Sequence, residues 1–107
     1  MILVKVTYTV RPDFVAENQS NIRKFVEDLR KLNNPGIRYN VLLGDDDKTH
    51  THLSMYENEE AQKALLELNS FKSFQRQRDE SGLEAPPKVE MMTLVASSHE
   101  LCSGEQR

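Results

Sequence analysis

An α+β sandwich with the element order β-α-β-β-α-β is predicted by three features of this 107-residue sequence. Ile2 to Val10 alternates with strand periodicity, a hairpin pattern fills the middle, and an amphipathic helical stripe precedes and follows that hairpin. Together they describe a split unit in which helices lie on one face of a small antiparallel sheet.

In the first strand Ile2, Val4, Val6, Tyr8 and Val10 share one face, with Leu3, Lys5, Thr7 and Thr9 on the other. Arg11-Pro12 ends it, because proline cannot donate to the ladder. Asp13 is the expected N-cap of the first helix, and Ile22, Phe25, Val26, Leu29 and Leu32 recur at helical spacing. Asn33-Asn34-Pro35-Gly36 stops that helix.

Ile37 to Leu43 and Thr49 to Tyr56 read as two strands around the loop Gly44-Asp45-Asp46-Asp47-Lys48. An odd-numbered loop places Ile37, Tyr39 and Val41 beside Met55, Leu53 and Thr51. The other face then gathers Arg38, Asn40 and Leu42 with Ser54, His52 and His50.

Asn58 caps the second helix, with Glu59 and Glu60 in its first turn. Its stripe is Ala61, Ala64, Leu65, Leu68, Phe71 and Phe74, with a break expected at Asn69-Ser70. Gly82 and Pro86-Pro87 close the region, and Lys88 to Ala96 is the last strand. Residues 1–96 form one domain; residues 97–107 are a polar tail.

The whole is a ferredoxin-like βαββαβ sandwich: a four-stranded antiparallel sheet with two helices on one face. The helix side should be the apolar set Ile2, Val4, Val6, Tyr8, Tyr39, Val41, Leu53 and Met55. The second face is mixed, holding Leu3, Leu42, Met92 and Leu94, and a second copy of the chain is its simplest cover. A homodimer through that face is expected.

Composition narrows the function. Fourteen Lys+Arg stand against seventeen Asp+Glu, a net charge of −3, and the pI is near 5.6, which gives no general attraction to nucleic acid or anionic membrane. The lone Cys102 excludes an internal disulfide and a thiolate zinc cluster. There is no apolar run of membrane-spanning length and no basic segment ahead of one, so a cytoplasmic protein is expected. No glycine-rich phosphate loop points to a nucleotide cofactor, and none is expected.

Met55-Tyr56-Glu57-Asn58-Glu59-Glu60-Ala61, followed by Ser70-Phe71-Lys72-Ser73-Phe74, resembles the dimeric α/β-barrel superfamily, within it the antibiotic-biosynthesis-monooxygenase-like group. The resemblance covers residues 1–96. It implies two sheets closing a barrel across a dimer, and an activity on a small aromatic or quinol-like molecule without a cofactor. Two histidine positions of family enzymes correspond here to Leu65 and Ser70, and the chain has no tryptophan, which argues against the haem degradation of some relatives.

The candidate chemistry lies on the third strand. His50, His52, Ser54 and Tyr56 share one face at two-residue spacing. His52 is the candidate base that would deprotonate a phenol-like substrate, leaving an electron-rich anion able to reduce oxygen. Tyr56 is a candidate donor to the developing oxyanion, and Asn40, placed across from His52, a candidate orienter. Lys5, Thr7, Thr9, Arg38, His50 and Ser54 complete the candidate substrate-binding set. The plainer alternative makes the same residues polar filler at a dimer interface, in a non-catalytic ligand-binding or interaction module. His50 and His52 alone do not make a metal site, because no third ligand has suitable spacing, and no metal is expected. The acidic turn Asp45-Asp46-Asp47 reads as a solvated hairpin tip rather than a calcium loop.

Overall fold

The structure is a computed structural model and describes residues 1–99. Cys102 and most of the expected tail lie outside the described residues. Four strands, β1 (Ile2–Thr9), β2 (Ile37–Leu43), β3 (Thr49–Tyr56) and β4 (Lys88–Met92), form one antiparallel sheet in the order β2-β3-β1-β4. Three α-helices, α1 (Val15–Leu32), α2 (Glu59–Leu66) and α3 (Asn69–Gln77), supply the cover. Among the described residues no helix is long and apolar enough to cross a membrane.

Local chemistry explains most boundaries. Asn58 caps α2 as expected, its Oδ1 accepting the Ala61 backbone N–H at 3.0 Å. The second helical stripe is divided into α2 and α3, but the division falls at Glu67 and Leu68, and Asn69-Ser70, where the break was expected, open α3. At the other end of α1, Asn33 takes the left-handed conformation (φ 52°) that stops the helix. Asp13 does not cap α1. It lies in a 3₁₀ turn, Pro12–Phe14, and faces Arg11 at 3.4 Å, while the N-cap position falls to Phe14 with no side-chain cap. The last strand ends at Met92 rather than at Ala96.

The important correction is the register of the hairpin. Gly44 donates its N–H to the Thr49 carbonyl at 2.8 Å, so the ladder continues through that pair and only four residues, 45–48, span the turn. Asp46 ties the turn by accepting the backbone N–H groups of Lys48 and Thr49, and Asp47 adopts φ 63°. The even-numbered turn pairs Tyr39 with Ser54 and Val41 with His52, one residue away from the expected register. A shift of one residue exchanges the two faces of a strand. β3 therefore presents His50, His52, Ser54 and Tyr56 to the helices, and Thr51, Leu53 and Met55 to the open side, the reverse of the expectation.

The core lies between the sheet and the helices. Phe25 from α1, with Phe71 and Phe74 from α3, packs on Tyr8, Val10, Ile37 and Tyr56 of the sheet side, and Leu65 of α2 closes one end. Phe25 meets Phe71 edge-on with centroids 5.0 Å apart. Leu3, although on the open side, is already buried within the single chain, whereas Leu42 and Met92 of that face are exposed.

Candidate functional site

His52 is buried at 2% exposure in the middle of the aromatic core, its ring stacked near Phe25 and Phe74 at centroid distances of 6.2 and 5.3 Å. A histidine there is tolerable only if both ring nitrogens find partners. Both do. Tyr8 Oη lies 2.7 Å from Nε2, and Tyr39 Oη lies 2.7 Å from Nδ1. Behind Tyr8, the fully buried Asn18 donates its amide N–H to the same phenol oxygen at 3.0 Å.

These donors and acceptors can be counted. A neutral imidazole offers one N–H and one lone pair. In the tautomer with the ring N–H on Nδ1, Tyr8 accepts from Asn18 and donates to Nε2, while Nδ1 donates to Tyr39. The Tyr39 hydroxyl proton is then the one left over in the chain Asn18–Tyr8–His52–Tyr39. Asn18 Oδ1 remains buried without a partner.

Burial sets the electrostatics. It pushes His52 down to about 3, with the Arg78 guanidinium and His50 adding to the effect. Burial likewise pushes the Tyr8 phenol up to about 12 and the Tyr39 phenol further still, against the opposing pull of Arg78. Arg78 opens a five-residue π-helical turn, Arg78–Gly82. Its guanidinium carbon sits 5.1 Å from the Tyr8 ring centre and 5.4 Å from that of Phe74, while Nε donates to Asp79 at 2.9 Å. The site therefore favours neutral groups over charged ones of either sign.

His50 is a second buried histidine, stacked on Tyr8 with centroids 5.5 Å apart. Its Nδ1 donates to the Lys48 carbonyl at 3.2 Å, and its Nε2 accepts from Gln19 at 3.3 Å. Burial lowers its basicity too. All four nitrogens of His50 and His52 thus engage protein partners, and a metal bound to either ring would have to displace one. Among the described residues no group of three or more His, Cys, Asp or Glu is placed to hold a metal ion.

A groove of about 620 Å³ opens between α1 and β2, lined by Val26, Leu29, Arg30, Ile37, Arg38, Tyr39 and Asn40 among others. It continues past Tyr39 as hollows of about 480 and 280 Å³ that reach Ile22, Arg23, Val41 and finally Gln19 and His50. The first is of the size that holds small ligands, on the order of 300–1,000 Å³. Tyr39 joins this groove to the buried chain.

The expected constellation is divided by these facts. His50, His52, Ser54 and Tyr56 lie under the helices, and Lys5, Thr7 and Thr9 lie on the opposite side of the sheet. Asn40 stands opposite Leu53, not His52. Tyr56 shares the face of His52 but is four residues along the strand, roughly 13 Å away. Burial raises its phenol, and Ser54 reaches the Val4 carbonyl only at 3.4 Å. Arg38 and Asn40, on the edge strand, still border the groove. Lys5 faces Glu90 in the β1–β4 register and Thr9 shares a hydroxyl contact with Thr49 at 2.8 Å, structural roles on the open side. The residues missed by sequence reasoning are the partners: Asn18, Tyr8, Tyr39 and Arg78. A signal existed for Asn18, which falls four residues before Ile22 on the apolar stripe of α1, where a polar side chain needs a buried partner.

A ferredoxin-like sheet with an aromatic, hydrogen-bonded pocket under its helices defines a class of small α+β proteins. The chain belongs to the antibiotic biosynthesis monooxygenase family, whose profile matches residues 1–77. Solved structures agree on the fold. One antibiotic biosynthesis monooxygenase superposes with a TM-score of 0.74 at 13% identity, covering 90% of this chain and 100% of that one. Rv0793 from Mycobacterium tuberculosis gives 0.76 at 16% identity, covering 92% and 98%. A variant of SnoaB, a cofactor-independent oxygenase from Streptomyces nogalater, gives 0.70 at 16% identity, covering 92% and 97%. At these identities the likeness is one of fold. No curated protein sequence matches.

Proposed function

We propose that the protein is a cofactor-independent monooxygenase acting on a small aromatic or quinol-like molecule seated in the α1–β2 groove against Tyr39. The observation that carries this reading is the Asn18–Tyr8–His52–Tyr39 chain, which links a ligand-sized groove to a buried hydrogen-bonded network. An ionised phenol with a free para carbon can reduce O₂ without help. One oxygen atom forms the new C=O bond and the other leaves as water, so phenol plus O₂ gives para-quinone plus H₂O with no external reductant.

In this reading His52 is not the base expected from its sequence position. With its pKa near 3, protonating it at neutral pH is uphill by roughly 5 kcal/mol. Its role in this reading is to orient Tyr39, whose remaining hydroxyl proton is directed to the phenolate oxygen while the substrate proton leaves to water through the open groove. A fixed donor of this kind contributes roughly 10²–10³ in turnover.

Oxygen uptake with hydroxynaphthalenes and quinols tests the reading. Turnover by the parent protein, falling about 10²-fold in Tyr39→Phe, is the expected result. The low basicity of His52 also favours a second reading, a non-catalytic binding module of the same fold. Binding of those compounds with no oxygen consumption by the parent protein would select it. Members of the family are typically dimeric, and the exposed Leu42 and Met92 support pairing through the open sheet face. Sedimentation should therefore show a dimer; a monomer at tens of micromolar, the usual order for a weak contact, would contradict it.

A further inference from the structure

The groove carries charge that the proposed reaction does not use. Arg23 and Arg30 both line its middle section beside Tyr39 and Val26. They are seven residues apart on α1, two helical turns, so both side chains leave from the same face with roughly 10 Å between them along the axis. Neither guanidinium has a hydrogen-bond or ion-pair partner among the described residues. The carboxylate between them, Glu27, is 3.6 Å from Lys31 instead. On a chain of net charge −3, a section lined by two unpaired arginines and one carboxylate, Glu27, is a local departure from the overall balance.

We propose that the α1–β2 groove selects aromatic ligands that carry a permanent anionic substituent, a carboxylate being the simplest, with Arg30 as its anchor. Arg30 borders both the 620 Å³ section and the adjoining one, and so is within reach of a ligand lying on either side of Tyr39. The ring of such a ligand rests on Val26 and Tyr39, and its carboxylate takes the two parallel N–H donors of a guanidinium, a match that an ammonium group does not offer. This assignment rests on the groove being the ligand seat.

Binding of 1-hydroxy-2-naphthoate and of 1-naphthol, followed by their own fluorescence, tests it. The two probes share ring and hydroxyl and differ in the carboxylate. The naphthoate should bind at least about tenfold more tightly, and added salt should erode that advantage. Arg30→Gln should remove about tenfold of naphthoate affinity and leave 1-naphthol unchanged, whereas Tyr39→Phe should weaken both probes. Arg30 is exposed, so the substitution leaves the core intact, which circular dichroism verifies. Equal affinity for the two probes, or equal losses in Arg30→Gln, would overturn the anionic preference and leave the groove reading standing. Failure of both probes to bind would remove the groove as ligand seat, and this assignment with it.

Discussion

The two faces of the sheet come from the same alternating strands and end with opposite properties. Under the helices lie Val4, Val6, Tyr8, Tyr39 and Val41 together with two histidines, Ser54 and Tyr56. On the open side Lys5, Thr7, Arg38 and Asn40 stand among Leu42, Leu53 and Met92. By polarity alone the histidine set looks like the wet face. It is the dry one, because hydrogen-bond closure rather than hydropathy decides whether polar side chains can be buried. Tyr8 and Tyr39 supply the closure for His52, and Gln19 with the Lys48 carbonyl supplies it for His50.

The sharpest way to break this comparison is to remove one member from each face. His52→Ala vacates a ring-sized space between Phe25 and Phe74 and strands two phenol hydroxyls, at a cost of roughly 3–5 kcal/mol. Asn40→Ala on the open side should change stability by no more than about 0.5 kcal/mol. Urea denaturation of both variants measures the contrast, and equal costs would mean the faces are misassigned.

Acid offers a second test. Folding lowers His52 from 6.5 to about 3, so between those values the unfolded chain binds the extra proton. Stability is therefore complete above 6.5 and is lost as the pH falls toward 3, and the lowered His50 adds in the same direction. The loss should amount to roughly 2–4 kcal/mol, the lower part of that range allowing for water entering the core. In His52→Gln the slope across this window should flatten. An unchanged slope would place the titration elsewhere.

Two smaller effects concern the lid over the helix side. Gly82 has no room for a side chain, since a Cβ there would collide with the Phe14 ring, and Gly82→Ala should cost roughly 1–3 kcal/mol through overpacking. Asn58→Ala should remove about 1 kcal/mol by uncapping α2, read as a lowered melting temperature.

Element order and both helical stripes were legible in the sequence because period and punctuation are local properties. Asn58 as a cap follows from a single residue and its neighbours, and a break in the second stripe was visible too, although it falls at residues 67–68 and not at Asn69-Ser70. The faces of β3 were not legible, because they turn on whether the hairpin is spanned by four residues or five. That count depends on one backbone bond, Gly44 to Thr49, and on Asp46 folding back over the turn. His52 was visible as a candidate, but its chemistry was not. A base on a wet face and a neutral hydrogen-bond relay in an aromatic core have the same residue type and differ only in which tyrosines surround it.

The central claim, that His52 is a buried neutral link between two phenols, is tested most directly by long-range ¹⁵N–¹H spectra of its imidazole ring across an acid titration. A neutral ring protonated at Nδ1, still uncharged at about pH 5, is the predicted result. A ring that titrates near the ordinary histidine value, with its two nitrogens exchanging the proton freely, would place His52 in water and contradict the account.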